Sequence, residues 1–184
     1  MGKGACGGYP DNLLAIPRLA VPPMAMCDGP QGMRGPPGTS TQWPSGLAMA
    51  ATFDHASMAS WGLHMGAEFA AKGCTMQLGP GVCVARVPAN GRNFEYSSGE
   101  DPYLGAEMIK PAVVGVQQNG VITCVKHYIM NNQETYRTTV SAEVDERTRM
   151  EIYHPPFQAA VDAGAMSIMC SCEFTRVAPK PMHP

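Results

Sequence analysis

Short apolar runs alternate with longer amphipathic stretches along this chain, and turn residues separate them. Residues 24–27 are apolar and end at Asp28-Gly29-Pro30, and residues 47–53 form a second apolar run rich in alanine. Asp54 then stands where an N-cap is needed. Met58, Trp61, Met65 and Phe69 follow at helical spacing, and Lys72-Gly73 is a stop signal. Residues 75–78 read as the next strand, closed by Gly79-Pro80-Gly81. A second cycle starts with Asp101 as cap and Pro102 at the first helical position. Leu104, Met108, Ile109, Ala112, Val113 and Val116 make its apolar stripe, Pro111 is expected to kink or interrupt it, and Gly120 ends it. Residues 121–125 are a β-rich run finishing at Lys126-His127. In a third cycle Asp145 or Ser141 caps, and Met150, Ile152 and Tyr153 line one face. Pro155-Pro156 breaks the helix, Phe157 and Val161 resume it until Gly164, and residues 167–170 are the last strand. The tail 179–184 has no packing pattern.

Strand and helix in strict alternation predict an α/β fold: a parallel sheet with helices on its faces. The expected strands end in Asp28, Lys126 and His127, the position at which barrels and open α/β sheets carry their ligand groups.

Composition narrows the functional classes. The 184 residues are 45% hydrophobic, with a formal net charge of -2 and no run of Lys or Arg, so a nucleic-acid surface is not expected. No stretch approaches the roughly 18 apolar residues of a membrane span. The N-terminus lacks the charged-then-apolar pattern of a secretory signal. The many Gly and Pro residues occur without a repeat and read as tight turns. Seven cysteines occur, at 6, 27, 74, 83, 124, 170 and 172, with no CxxC and no zinc-site spacing. Cys27, Cys124 and Cys170 sit in apolar runs and are expected to pack as small hydrophobes rather than bond. The alternative for Cys170 and Cys172 is a metal or redox role, which would require zinc or a disulfide in purified material.

Each polar cluster has a plain reading and a chemical one. Asp28-Gly29-Pro30 is a turn, or a carboxylate at a strand end that accepts two hydroxyl hydrogen bonds, with Arg34 as its ion-pair partner or a second donor. Gly91-Arg92-Asn93-Phe94-Glu95 is a surface loop, or part of an ordered functional loop between two helices. Lys126-His127 is a surface Lys beside a satisfied His, or a ligand pair. Adjacent side chains on a strand face opposite sides, so both reach one ligand only where the strand is already turning. Asn131, Asn132, Gln133 and Glu134 downstream suit a polar pocket. His55 and His64 fall on or near the first long helix and read as surface or packing residues.

In order and in text these segments resemble family-3 glycoside hydrolases, the β-glucosidase and β-xylosidase group. The matching stretches are IPRLAVPPMAMCDGPQGMR (16–34), WPSGLAMAATFD (43–54), GRNFEYSSGEDPYLGAEM (91–108), VKHYIMNNQE (125–134), VDERTRMEIYHPPF (144–157) and AGAMSIMCS (163–171). GRNFE and KHYIMNNQE bring the chain closer to the β-glucosidases. The resemblance implies a partial (β/α) TIM-type barrel of parallel strands over 16–172, incomplete at the C-terminal side, between a Gly-rich segment 1–15 and a tail 173–184 outside the resemblance. It implies retaining hydrolysis of terminal non-reducing β-D-glucosyl residues, without metal or organic cofactor. Asp28 would hold the hydroxyls farthest from the reacting carbon. Arg92, Lys126 and His127 would bind their neighbours, and Arg34 and Met169 would line the pocket. The family's nucleophile, an Asp in a Ser-Asp-Trp-like motif, and its acid/base have no counterpart in these residues, so no catalytic residue is assigned. The chain departs from the family at Cys172, where an aromatic residue is usual. The expected partner is a β-glucoside or oligosaccharide, with non-specific self-association through uncovered strand edges. The second reading is an inactive sugar-binding remnant or pseudoenzyme. A secreted location is suggested only by the family.

Overall fold

The computed structural model describes residues 12–35, 38–137, 139–171 and 174–177. Cys6, Cys172 and the tail 179–184 lie outside them. Four parallel strands in the order β1 (Met26–Asp28), β2 (Met76–Leu78), β3 (Ile122–Tyr128) and β5 (Ser167–Cys170) form the main sheet. The intervening strand β4 (Ser141–Val144) leaves this sheet and pairs in parallel with β6 (Phe174–Val177). The register runs Asp28 with Leu78, Gln77 with Thr123 and Lys126 with Met169. Helical segments connect successive strands of the main sheet, as expected for a segment of a (β/α) barrel, whose closed form takes about eight strands. Among the described residues both outer edges of the sheet, on β1 and β5, have no strand beside them.

The helices begin where side chains can satisfy the unpaired N–H groups. Ser45 caps α1 (Gly46–Ala50), so the alanine-rich run 47–53 is helical up to Ala50 and turns over its last three residues. Asp54 accepts from the Ala56 and Ser57 amides and starts α2 (His55–Ala71). Asp101 accepts from the Tyr103 amide and starts α3 (Pro102–Gln117), with Pro at the first turn. Asp145 caps α4 (Glu146–Thr148), which passes into a single π-turn over Arg149–Tyr153 before α5 (Pro155–Asp162).

Several expectations need correction. Pro111 does not interrupt α3, which runs unbroken from Pro102 to Gln117. Met150 does not share a buried face with Tyr153: it is exposed while Tyr153 is buried, because the wider π-turn rotates the two apart. The strand β4 falls where a cap or loop was expected, since only Val144 of its four residues is buried and no apolar alternation announces it. Cys27 is buried, but it is disulfide-bonded to Cys74 rather than packed as a free thiol. This bond ties the end of β1 to the segment leading into β2 across 47 residues. In the chain-entropy picture such a loop closure is worth on the order of 4 kcal/mol.

Helix α3 is the wall between two cores. Its Met108, Ala112 and Val116 row faces Met58, Trp61, Met65 and Phe69 of α2. Its Ile109 and Val113 face Val125 of β3 and Phe157 and Ala160 of α5. The α2–α3 contact is a backbone contact. A Cβ at Gly62 would stand 2.6 Å from the Ala112 carbonyl, one at Gly66 2.7 Å from that of Val116, and one at Gly115 2.6 Å from that of Ala59. Asn119 Nδ2 closes the seam by donating to the Leu63 carbonyl at 2.9 Å. Because the obstacle is main chain, it cannot swing aside. Gly115→Ala is therefore expected to cost about 1–3 kcal/mol by over-packing. Val114→Ala, at an exposed position one residue away, should stay within about 0.5 kcal/mol. Urea denaturation of both variants compares them directly.

Candidate functional site

Asp28 ends β1 and Lys126 lies near the end of β3, 98 residues later, with β2 between them. Because all three strands are parallel, both side chains emerge at the C-terminal end of the sheet. Lys126 Nζ donates to Asp28 Oδ1 at 3.1 Å, and Arg34 reaches Asp28 Oδ2 at 3.1 Å. The Lys126 and Asp28 side chains are only 4% and 14% exposed, whereas Arg34 stands largely in solvent, so the Lys126 contact is the desolvated one. The turn after Asp28 needs its glycine: Gly29 has φ +137°, and a Cβ there would stand 1.7 Å from the Gly32 carbonyl oxygen. Two bonds fix that turn, Arg34 N–H to the Asp28 carbonyl at 2.9 Å and Gln77 Nε2 to the Gly29 carbonyl at 3.0 Å.

At Lys126 the ladder with β5 loses its regularity. Lys126 pairs with Met169 and Tyr128 with Cys170, so His127 is an extra residue without a partner. The strand is turning there, as it must if neighbouring side chains are to serve one site. Met169 is half-buried on the adjacent strand, opposite Lys126.

The loop between β2 and α3 closes over this end. Val82, Cys83, Val84 and Tyr96 are buried in the core, and the Gly81–Lys126 and Gly81–Tyr96 bridges stitch the loop to β3. Arg92 Nε contacts Glu95 Oε1 at 2.5 Å, and its NH1 lies 3.4 Å from Glu134 Oε1, beyond β3. The Tyr96 hydroxyl lies 2.9 Å from His127 Nδ1. Burial, and then the positive charges of Lys126 and Arg92, push the His127 pKa down to about 3. Burial pushes the Cys83 thiol up to about 11, and it donates to the His127 carbonyl at 3.2 Å.

Asp28, Arg34, Arg92, Lys126 and His127 are thus brought together, with Met169 in register beside Lys126. Next to them lies an open cavity of about 500 Å³, bounded by Gly29 to Gly35, the loop residues Gly38 and Ser40 to Gln42, and Phe94 and Glu95. That loop is held from α2. Glu68 accepts from the Thr41 amide at 2.9 Å and the Trp43 indole at 3.1 Å, and pairs with Lys72 at 2.5 Å. Burial opposes ionisation of Glu68, but these three donors outweigh it and hold the carboxyl below its usual range. Sequence reading did not single out Tyr96, Gln77 or Glu68. Tyr96 follows GRNFE directly, whereas Gln77 and Glu68 sit inside a strand and a helix with no local signal. His55 and His64 stay on the α2 surface, His55 near Glu107 at 3.8 Å and His64 against Trp43. Cys170 is a free, exposed thiol, and among the described residues no three His, Cys, Asp or Glu side chains group to hold a metal.

Residues 11–184 match the model of the glycosyl hydrolase family 3 N-terminal domain. Beta-glucosidase BoGH3A of Bacteroides ovatus is 43% identical over 166 residues, covering 83% of this chain and 22% of that protein. Probable beta-glucosidase M of Neosartorya fischeri is 42% identical over 181 residues, covering 92% of this chain and 23% of that protein. Among structures, beta-glucosidase 3B of Thermotoga neapolitana, in complex with glucose, superposes with a TM-score of 0.88 at 35% identity over 94% of this chain and 25% of that one. DesR, a beta-glucosidase from Streptomyces venezuelae in complex with D-glucose, gives 0.86 at 40% identity over 89% of this chain and 21% of that one. The chain spans about a fifth to a quarter of the length of these relatives.

The suppressed basicity of His127 sets a pH dependence. Its ring stays neutral in the folded chain down to about pH 3, while an unfolded His takes up a proton below about 6.5. Stability is therefore full above about pH 6.5 and falls as pH drops toward 3, by at most about 1.4 kcal/mol per unit from this one group. Urea denaturation between pH 7 and pH 4 should give a shallower loss for His127→Gln than for the unsubstituted chain.

Proposed function

The chain belongs to glycosyl hydrolase family 3, and on that premise we propose that its residues form the sugar-gripping part of a β-glucosidase site. The substrate is a β-glucoside or oligosaccharide, held by its terminal non-reducing glucosyl unit. The observation that carries this reading is the Asp28–Lys126 pair at the C-terminal end of the parallel sheet, with Arg34, Arg92 and His127 around it. A carboxylate accepts two hydroxyl protons, and Lys and Arg donate to hydroxyl oxygens. Vicinal hydroxyls of a pyranose offer both functions on adjacent atoms. Asp28 takes the hydroxyls farthest from the reacting carbon, Arg92, Lys126 and His127 take their neighbours, and Arg34 and Met169 line the wall.

The chemistry is retaining hydrolysis by two carboxyl groups about 5 Å apart, one attacking the anomeric carbon and one protonating the leaving oxygen. The carboxylates of this site serve otherwise. Asp28, Glu95 and Glu134 each contact a cation, and each is occupied in holding the grip. As the family resemblance implies, we assign the catalytic pair to residues other than these, and the proposed grip calls for no metal or organic cofactor. The Cys27–Cys74 bond supports an oxidising compartment, and the open edges of β1 and β5 support self-association of the isolated chain.

Two measurements test this on the 184-residue chain. Calorimetric titration with D-glucose should give saturable binding. Lys126→Met, which keeps the side-chain length and leaves Asp28 to Arg34 and solvent, should weaken it at least about tenfold, the equivalent of about 1.4 kcal/mol. Nitrophenol release from an aryl β-glucoside should stay at background. Turnover near 1 s⁻¹, an ordinary enzyme rate, that vanishes in Asp28→Ala would place a working carboxylate pair within these residues and refute the assignment.

A further inference from the structure

The Tyr96 hydroxyl is buried among polar groups; the nearby Cys83 thiol gives its proton to the His127 carbonyl. The hydroxyl lies 2.7 Å from the Asn131 backbone carbonyl, 2.9 Å from His127 Nδ1 and 3.3 Å from Asn131 Nδ2. A hydroxyl has one proton and two lone pairs. A carbonyl can only accept, so the Tyr96 proton goes to the Asn131 oxygen. The amide Nδ2 can only donate, so it fills one lone pair. His127 Nδ1 faces the remaining lone pair and must bring a proton of its own. With burial, and then Lys126 and Arg92, acting against a second proton on the ring, the imidazole is neutral and carries its single proton on Nδ1. Nε2 is left with a free lone pair, and no described group hydrogen-bonds it. The tautomer of a histidine is set in this way by whatever its other nitrogen meets.

Tyr96 cannot turn away. Its backbone bridges Gly81, and the adjacent Ser97 amide donates to the Gly81 carbonyl at 3.0 Å. A Cβ on Gly81 would stand 2.7 Å from Tyr96 Cδ1, so the ring lies directly on that glycine. The hydroxyl is therefore delivered to His127 by a ring seated on main chain.

We propose that Tyr96 is a positioning and specificity-determining residue: by locking His127 as the Nδ1–H tautomer it turns Nε2 into a hydrogen-bond acceptor beside the donors Lys126 and Arg92. A ligand group at this point must give a proton to Nε2, while its oxygen can receive one from Lys126 or Arg92. A hydroxyl does both, whereas an ether oxygen or a fluorine only receives. The tautomer stands on the protein's own hydrogen bonds. The selection among sugars rests on the reading of the site given above.

The two parts are tested separately. Long-range proton–nitrogen correlation spectra of the ¹⁵N-labelled chain at pH 7 should show His127 with a protonated Nδ1 and a bare Nε2, the ring being assigned by its loss in His127→Gln. A His127 ring protonated on Nε2 overturns the proposal outright, whether or not Tyr96→Phe folds. In Tyr96→Phe the Nδ1–H form should no longer dominate. Titrations with D-glucose and its monodeoxy and monodeoxyfluoro analogues read the selection. At one ring position the fluoro analogue should bind as poorly as the deoxy one, at least tenfold below glucose, and Tyr96→Phe should narrow the gap between hydroxyl and fluorine. Fluoro analogues that match glucose at every position overturn the selection. Failure of glucose itself to bind, with the Nδ1–H spectrum observed, overturns the sugar-grip reading and its selection while the tautomer stands.

Discussion

Parallel strand direction is the constraint on which the site depends. A crossover after each strand brings the chain back to run the same way, so the ends of β1, β2 and β3 share one rim. Asp28 and Lys126 meet there although they are 98 residues apart. Were β3 reversed relative to β1, the two would stand at opposite ends of the sheet. The crossovers are in turn held by the α2–α3 seam, where backbone lies on backbone and little play remains. The rim thus inherits its rigidity from a contact on the outer, helical side of the sheet.

What was legible in the sequence was what local chemistry decides. Asp54, Asp101 and Asp145 start helices because a carboxylate can take up free amides wherever it stands. Met58, Trp61, Met65 and Phe69 are buried because their spacing puts them on one face. The strand ends at Asp28 and Lys126 follow from the same patterning. The illegible parts depend on partners distant in the chain. The strand β4 is recognisable only with β6 beside it, the Cys27–Cys74 bond only once β1 and β2 are neighbours, and Gln77 and Glu68 only by the loops they hold. The uninterrupted course of α3 through Pro111 belongs here too, because two cores press on that helix from opposite sides.

The site divides into a rim of charged donors and acceptors and a second row that sets their orientation. Gln77 and the Arg34 amide fix the turn behind Asp28. Glu68 and Lys72 anchor the loop beyond it to a helix rather than to the sheet. Tyr96 and Asn131 fix the ring of His127. Of this second row, Arg34, Tyr96 and Asn131 lie inside the motifs by which the family resemblance is recognised, whereas Gln77, Glu68 and Lys72 lie outside them.

The pairing of charges around the rim has a consequence for how a ligand arrives. Lys126 and Arg34 stand against Asp28, Arg92 against Glu95 and Glu134, and Arg137 lies 3.2 Å from Glu134. Formal charges therefore nearly cancel over a few ångströms, and the field they project into solvent dies away quickly. Such a site does not gather its ligand from a distance, as clefts of one sign do. An uncharged sugar, the ligand proposed above, would meet it by plain diffusion, and ionic strength has little to screen. Sea water and dilute buffer should be nearly the same medium to this site.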